Sequence, residues 1–276
     1  MASTSSSGAA APWKSTFDSH LKKVGSSPEF YLATVSHEGL PRVRACIHRG
    51  FWTSLPENSH NKLPKNPPVF DSDCPTFTTD ARMSKVYDIF ASGKGKGTLE
   101  QSRAGTGGGG PVEAVYWVKD ISMQWRIKGQ CWIIAADDVE HEGDGDMQNS
   151  GTVTMKAVLQ RYMRKTGEDG DWSWKREVEN HFGNLSPMMK GTFKNPPPGQ
   201  PLKDGAGPGE ALGQKAGELQ EEDLARKNFR VAVLTPQEVE QLDLSDPAHN
   251  QRWRWTLTGD GKDEGIAEWE MVETWP

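Results

Sequence analysis

The sequence predicts a mainly β protein, an antiparallel sheet with peripheral helices, and three observations support this class. Segments in which apolar and polar residues alternate recur along the chain, as they do in half-buried strands. Turn-forming residues separate several of these segments, so neighbours can pair as hairpins. Apolar residues at helical spacing form fewer runs, which lie between the strands. A chain of 276 residues is long enough for one large domain with a sizeable core.

The N-terminal part is predicted to hold a tail, a helix and a β-hairpin. Residues 1–11 are rich in Ser and Ala and are interpreted as a disordered tail before a single domain over residues 12–276. A first helix is indicated by apolar residues at every fourth position, namely Trp13, Phe17 and Leu21. A β-rich run over residues 30–35 and a turn over residues 36–39 lead into a strand from Pro41, which completes the hairpin.

The strand from Pro41 carries three arginines within eight residues, Arg42, Arg44 and Arg49, which is unusual for a strand that only packs. Apolar residues alternate along it, so one face is expected to be buried. Arg44 and Arg49 are five residues apart, and a regular pleat would turn them to opposite faces. Either Arg49 lies beyond the end of the strand, or the two arginines contact different parts of a ligand.

A predicted helix start follows the short β-prone run over residues 76–80. Asp80 is interpreted as its N-cap because apolar residues at helical spacing come next. Ser84 and Lys85 then fall near the first turn, where free N–H groups and the helix dipole favour a phosphate. With the strand arginines they form a predicted phosphate cradle. The alternative is that these are surface cations of an edge strand.

The middle of the chain is predicted to hold a loop, a glycine-rich loop and a long hairpin. Prolines over residues 55–75 exclude regular structure there. Residues 91–111 contain two clusters of glycines, but the spacing of a nucleotide-binding P-loop is missing, so a flexible surface loop is predicted. Alternating strands over residues 112–118 and 123–134 are predicted to pair as the hairpin.

A helical insert is predicted over residues 137–200, and a flexible connection rich in Pro, Gly and charge over residues 195–227. The stripe formed by Trp174, Val178 and Phe182 is interpreted as a packing surface rather than a cofactor site. The C-terminal part returns to strands near residues 229–234, 252–257 and 266–275. Between them, the sequence from Thr235 fits a helix capping box, which predicts a helix through Leu242.

Composition and charge exclude several classes of protein. The net charge of −6 argues against a general binder of nucleic acids or anionic membranes. No segment approaches the ~20 apolar residues of a membrane span, and the N-terminus lacks the pattern of a secretory signal, so a cytoplasmic protein is expected. The 3 cysteines and 7 histidines are scattered, which predicts neither a disulfide framework nor a metal site. No nucleophile–base pair stands out, so the catalytic residues are unknown.

Several of these motifs occur in an order that is typical of one family. The family pattern is a strand with Arg, four residues and then Lys or Arg, followed by a Thr-bearing turn with Ser or Arg before Lys. Later a Gln lies five residues before a Gly. The matching residues here are Arg44 and Arg49, Thr78 and Thr79 with Ser84 and Lys85, and Gln124 with Gly129. Over residues 12–135 and 228–276, the sequence resembles the pyridoxamine 5′-phosphate oxidase-like FMN-binding proteins, more narrowly their fungal, plant and cyanobacterial branch.

The resemblance implies an FMN-binding split β-barrel of six or seven antiparallel strands, with each FMN site built between two subunits of a homodimer. It implies cofactor contacts from eight residues, namely Arg44, Arg49, Thr78, Thr79, Ser84, Lys85, Gln124 and Arg252. The cations of the cradle would offset the negative charge of the phosphate, and Ser84 would donate a hydrogen bond to it. The threonines and Gln124 would contact the flavin ring. Without the resemblance, the threonines are ordinary strand residues and Gln124 belongs to a solvated face. No metal, nucleic-acid or membrane partner is implied.

The resemblance also implies an oxidoreductase that passes hydride between a small-molecule substrate and flavin N5, with the cofactor carrying the redox chemistry. The alternatives are an FMN-binding carrier or sensor without turnover, and a relative that has lost the flavin. True pyridoxamine 5′-phosphate oxidases have an Arg-x-His pair just before the C-terminal flavin arginine. Ala248 and Asn250 occupy those positions here, and His249 is displaced by one residue. Efficient oxidation of pyridoxamine 5′-phosphate is therefore not expected.

Overall fold

A computed structural model of the protein describes residues 9–25, 27–93, 105–140, 150–216, 223–259 and 268–276. The helices in these ranges are α1 (Lys14–Val24), α2 (Ser84–Ala91), α3 (Ala136–Glu140), α4 (Ser150–Tyr162), α5 (Trp174–Gly183), α6 (Pro187–Thr192) and α7 (Asp223–Asn228). The strands are β1 (Glu29–Val35), β2 (Pro41–Ile47), β3 (Phe70–Ser72), β4 (Thr76–Asp80), β5 (Gly107–Val118), β6 (Met123–Ile134), β7 (Met163–Lys165), β8 (Phe229–Asp243), β9 (Gln251–Leu257) and β10 (Trp269–Thr274).

The main sheet closes on itself as an antiparallel barrel. Its strand order is β10-β9-β8-β6-β5-β1-β2, and β4 pairs with β8 outside that path. Just after β2, the Arg49 N–H donates to the Thr76 carbonyl at 2.8 Å, and the Thr76 N–H donates to the Gly50 carbonyl at 2.8 Å. These bonds join the chain after β2 to β4 and complete the ring β1, β2, β4, β8, β6, β5. The predicted fold class, a mainly β split barrel with peripheral helices, is confirmed.

The barrel interior is filled by apolar side chains that the alternating segments of β1, β5 and β6 predicted. The prediction for β2 is wrong, because Val43 and Ala45 of its apolar face are exposed. Phe17 of α1 reaches into it, with ring centroids 4.9 Å from Tyr116 and 5.4 Å from Trp125, both edge to face. Phe30 of β1 stacks on Tyr116 with centroids 4.8 Å apart. All four rings are at most 1% exposed. Helix α1 therefore belongs to the barrel core, and its predicted apolar stripe is confirmed.

The glycine-rich run departs from the predicted loop over residues 91–111. Strand β5 begins at Gly107, and the register shifts between Gly108 and Gly110. A Cβ on Gly110 would lie 2.4 Å from the Ile89 carbonyl oxygen, and a Cβ on Gly108 would lie 2.8 Å from Ile89 Cγ2. These glycines are required because α2 packs directly on the start of β5. Residues 94–104 of the predicted loop lie outside the described residues.

The helical insert packs on the outer side of the sheet through a second apolar core. Trp174, Val178 and Phe182 of α5 are each at most 6% exposed. They belong to the same buried cluster as Ile134 of β6 and Val231 of β8. The interpretation of this stripe as a packing surface is confirmed.

Four asparagines, which we call the asparagine ladder, fasten α5 to the loop that follows residue 55: Asn58, Asn61, Asn180 and Asn184. Asn58 Nδ2 donates to the Asn184 carbonyl at 2.7 Å. Asn61 Nδ2 donates to Asn184 Oδ1 at 2.8 Å and to Asn180 Oδ1 at 3.0 Å. These hydrogen bonds hold the first part of the loop in place. The predicted absence of regular structure over residues 55–75 is wrong at its end, where Phe70–Ser72 form β3 and pair with β7.

An ion cluster connects α1 with β3 and β7. Arg164 pairs with Asp71 and Asp73, each at 2.7 Å, and Lys14 pairs with Asp71 at 2.7 Å. Burial acts to raise the pKa of Asp71, but its hydrogen bonds and ion pairs with Lys14 and Arg164 outweigh burial and lower it. The Ala11 N–H donates to Asp73 at 3.0 Å, and Ala11 is buried. The last residue of the predicted tail therefore belongs to the folded domain, while residues 1–8 lie outside the described residues.

The predicted helix from Thr235 through Leu242 is wrong. Residues 229–243 form one long strand, β8, that pairs with β6, β9 and β4. The register against β6 shifts where Pro236 lies opposite Gly129, because a proline has no N–H to give to the ladder. Cross-strand pairing on both sides of β8 outweighs the local capping pattern.

The predicted connection over residues 195–227 is described as far as residue 216, and residues 217–222 lie outside the described ranges. Glu210 accepts a hydrogen bond from Arg82 at 2.8 Å, and the Ala216 N–H donates to the Pro187 carbonyl at 3.0 Å. Its flexibility stays a prediction. None of the described helices is both long and apolar enough to span a membrane.

Candidate functional site

Lys85 is a nearly buried ammonium group with few polar neighbours. Its residue is 8% exposed, and Nζ lies 3.2 Å from Thr79 Oγ1 and 2.7 Å from Met83 Sδ. Among the described residues, no carboxylate lies within ion-pair distance of this nitrogen. Burial lowers the pKa of Lys85, and the positive charge of Arg44 adds to that effect. Removing an ammonium from water without a paired anion is costly, so this position is suited to an anionic ligand.

Arg44 lies beside Lys85 and is fixed by its own contacts. Its guanidinium donates to Thr34 Oγ1 at 2.8 Å and to the Leu32 carbonyl at 3.1 Å, and it pairs with Asp88 at 3.4 Å. Burial lowers the pKa of Arg44, while Asp88 opposes that shift. Thr34 donates to Asp88 at 2.8 Å, so the carboxylate is itself held in place. Arg44 is therefore oriented but partly neutralised.

Ser84 is exposed at the first residue of α2, and the preceding Met83 has extended backbone angles. Asp80 does not cap this helix as predicted. Its carboxylate instead accepts from Arg82 Nε at 2.9 Å and Nη2 at 2.7 Å. The first turn of α2 therefore has no side-chain cap, and its N–H end is open toward the position of Ser84. Thr78, the remaining residue of the predicted set on β4, is half-buried.

Arg49 is not brought together with Arg44 and Lys85. Strand β2 ends at Ile47, so Arg49 lies beyond the strand, as one of the two sequence alternatives required. Its charge acts on the buried histidines His48 and His181, lowering their pKa values further after burial. Arg49 lines a cavity together with both histidines, and neither Arg44 nor Lys85 lines that cavity.

Gln124 and Arg252 form a second group. Gln124 of β6 lies opposite Leu242 of β8, and Leu242 lies opposite Arg252 of β9. Arg252 also pairs with Glu240 at 2.7 Å. The charge of Lys85 acts on Cys131 of β6. Cys131 lies seven residues from Gln124 along the strand, which is a separation of about 24 Å at the usual rise per residue. Within one chain, the eight predicted cofactor residues thus fall into separate groups.

Sequence reasoning missed Thr34 and Asp88, the two residues that hold Arg44. One signal was present, because Asp88 lies among the apolar residues of the buried face of α2 and is 1% exposed. It also missed the proximity of Arg49 to His181. No sequence signal connects these two, because they are brought together by packing of the insert on the barrel.

Comparison with known proteins agrees with this architecture. Residues 10–135 match the family model described as pyridoxamine 5′-phosphate oxidase, FMN-binding domain. A Saccharomyces cerevisiae protein described as uncharacterised is 23% identical over 314 aligned positions, which cover 96% of this chain and 98% of the relative.

A solved structure shares the fold. It is a pyridoxamine 5′-phosphate oxidase-related, FMN-binding protein from Nostoc punctiforme PCC 73102, 17% identical to this chain. The superposition has a TM-score of 0.52 and covers 97% of this chain and 100% of that one. Residues 10–135 are therefore similar to the FMN-binding domain of pyridoxamine 5′-phosphate oxidase, and the fold of the whole chain is similar to that of the Nostoc protein.

Proposed function

We propose that this protein is an FMN-dependent oxidoreductase that binds the cofactor phosphate at Lys85. The observation that carries the proposal is the buried ammonium of Lys85, which has no carboxylate partner among the described residues. A phosphate that carries nearly two negative charges would supply that partner. The family match over residues 10–135 supports FMN as the phosphate-bearing ligand.

The neighbours of Lys85 fit a phosphate group. Ser84 and the uncapped N–H groups of α2 offer donors, and the helix dipole adds positive potential. Arg44 contributes a second, oriented cation on the same side. Thr79 and Thr78 continue from this point along β4, where their backbone and hydroxyl groups would contact the flavin ring. When bound, FMN supplies hydride transfer at N5, and these side chains supply binding and orientation.

We propose further that the complete site needs a second copy of this chain. Gln124 and Arg252 lie too far from Lys85 to join it in one subunit if the strands keep their spacing. The outward face of β1, β2 and β5 carries exposed apolar side chains that a partner would cover, namely Tyr31, Val43 and Trp117. A homodimer through this face would also cover the edge strand β2.

The experiment that tests the function is a flavin assay on the purified protein. A yellow protein with flavin absorption bands that releases FMN on denaturation is the expected result. Bleaching of these bands by a reduced nicotinamide or by an oxidisable amine would support turnover. A loaded protein that no donor bleaches would favour the carrier or sensor alternative. A colourless protein that takes up no FMN contradicts the proposal.

A further inference from the structure

A cavity of about 300 Å³ lies where the barrel meets the helical insert. Its walls come from α1, the chain after β2, the loop over residues 55–58 and the end of α5. Apolar surface is supplied by four of its lining residues, Leu21, Pro28, Leu55 and Pro56. Pockets for small organic ligands begin at about this volume and are lined in this way, with a few polar groups that fix the ligand.

Arg49 brings an uncompensated positive charge to this cavity. Its guanidinium is half-buried and makes no ion pair within the described ranges, and Nε is buried without a hydrogen-bond partner there. Two carboxylates also line the cavity, but each forms an ion pair with a lysine. Asp18 pairs with Lys22 at 2.7 Å, and Glu57 pairs with Lys65.

His181 of α5 stands in the cavity wall with its hydrogen-bonding capacity unused. It is 2% exposed, and neither ring nitrogen has a partner among the residues that the structure describes. The ring stacks on Trp52 with centroids 6.0 Å apart. A neutral imidazole has one donor and one acceptor, and each one left unsatisfied in a buried place costs about 1–3 kcal/mol. A ligand oxygen at this end of the cavity would relieve that cost.

Hydrogen bonds fix the wall that holds His181. His181 lies between Asn180 and Asn184, both members of the asparagine ladder, and Asn58 on the facing loop also lines the cavity. The ladder fixes the distance between the two walls. Because α5 lies outside residues 10–135, this part of the cavity does not come from the segment that matches the family model.

We propose that this cavity binds a small organic monocarboxylate, separately from the phosphate position at Lys85. The carboxylate group would pair with Arg49 and accept a hydrogen bond from His181, while the apolar body of the ligand contacts the leucine and proline surface. One unpaired cation suits one negative charge. A phosphate dianion would bring a second charge close to Asp18 and Glu57, which disfavours it.

Isothermal titration of the purified full chain with benzoate tests this inference. Benzoate should bind the wild-type protein at millimolar concentration, whether or not FMN is present. Arg49→Gln should weaken benzoate binding about tenfold or more, because it removes a charged hydrogen bond. The matched control Arg42→Gln, at an exposed arginine of β2, should leave the affinity unchanged. His181→Leu should weaken binding by a smaller factor.

A parallel titration with FMN separates this inference from the proposed function. Arg49→Gln should change the FMN affinity by less than about threefold, well under the loss of one charged contact. Equal loss of FMN and benzoate affinity would mean that Arg49 contacts the flavin, and this would overturn the inference. It would also be overturned if wild-type protein fails to bind benzoate, or if inorganic phosphate binds more tightly than benzoate and displaces it. A chain that binds benzoate but no FMN would overturn only the proposed function.

Discussion

A single side chain can be unfavourable for folding and favourable for binding, and Lys85 combines both effects. Its ammonium is nearly buried, and within the described part of the chain its hydrogen-bond partners are Thr79 and Met83. The folded protein without a ligand therefore carries the desolvation cost of that charge. An anion that binds at Lys85 recovers part of the cost, which couples cofactor binding to stability.

The substitution Lys85→Met should separate these two effects, because methionine keeps much of the side-chain length and removes the charge. We expect the flavin-free variant to melt at a higher temperature than the flavin-free wild type. We expect its FMN affinity to fall about tenfold or more, since a charged contact contributes about 1.5–3 kcal/mol. Thermal melts and fluorescence titration with FMN measure the two changes.

The control for this prediction is Arg42→Ala. Arg42 is exposed and lies 4.0 Å from Asp88, so its loss should change FMN affinity little. Arg44→Ala should weaken FMN binding more than Arg42→Ala does. If all three substitutions weaken FMN equally, the phosphate does not lie at Lys85.

Two buried histidines make the stability of the protein depend on pH. Burial lowers the pKa of His48 to about 4 and that of His181 to about 3, compared with 6.5 in the unfolded chain. Between pH 6.5 and about 4, the unfolded chain binds more protons than the folded one. The free energy of unfolding should therefore fall as the pH is lowered, by at most about 1.4 kcal/mol per pH unit for each histidine.

Urea unfolding from pH 7 down to about 5 measures this slope above the range where carboxylates titrate. In His181→Leu the slope should decrease by the share of one histidine, because the variant lacks the imidazole of His181 and keeps that of His48. A slope in His181→Leu as steep as that of the wild type would contradict the assignment of His181.

The segment before Arg252 gives a prediction about substrate. His249 is 81% exposed at its side chain and pairs with Asp246 at 2.9 Å, and Ala248 offers no cation. A substrate phosphate would therefore lack a charged partner here. We expect the FMN-loaded protein to oxidise pyridoxamine 5′-phosphate poorly, measured as steady-state oxygen consumption. Saturation of that activity at micromolar substrate would be incompatible with this expectation.

At the scale of elements, the contact between α2 and the start of β5 has no room for side chains. A Cβ on Gly110 would meet both the Ile89 carbonyl oxygen and Ser92 Oγ at 2.4 Å. Gly110→Ala should therefore lower the free energy of unfolding by about 1–3 kcal/mol, as overpacking does. Pro111→Ala, at the exposed next residue of β5, serves as the control in the same denaturation experiment. Equal stability of Gly110→Ala and wild type would show that α2 can move away from β5.

The elements also show how far the sequence could predict the structure. Alternation predicted the hairpin of β5 and β6 and the pairing of β1 with β2, because these partners are neighbours along the chain. The helix predicted from Thr235 was wrong because this run pairs with β6, which lies far away in sequence, and with β9, and only the fold supplies both partners. The same reason applies to the cradle. Ser84 and Lys85 lie on one local segment, whereas Arg49 and His181 line one cavity only because the insert packs on the barrel.

At the scale of the whole molecule, the outward face of β1, β2 and β5 predicts association. Tyr31 lies opposite Ala45 and Val115, so its 50% exposed ring shares one face with Val43, which is 70% exposed. The double substitution Tyr31→Glu, Val43→Glu should yield a monomer by light scattering at micromolar concentration, because like charges would meet across the interface. FMN affinity should fall with it, since Gln124 and Arg252 of the partner would be lost.

Leu202→Glu is the matched control, because Leu202 is 99% exposed on the connection far from these strands in sequence. It should leave the dimer and the FMN affinity intact. A wild-type protein that is already monomeric at micromolar concentration would contradict the dimer, and with it the shared site.

The position of β8 between β4 and β6 has a consequence for how the chain can fold. The ring cannot close until β8 pairs with β4 and β6. Both partners lie about 100 residues or more before β8 in the sequence. Folding through such long-range pairing is slow, because a large loop entropy is spent before the contacts form. An isolated fragment of residues 10–135 would leave the edges of β4 and β6 unpaired and prone to aggregate. Residues 10–135, which match the family model, therefore depend on β8 to complete the barrel.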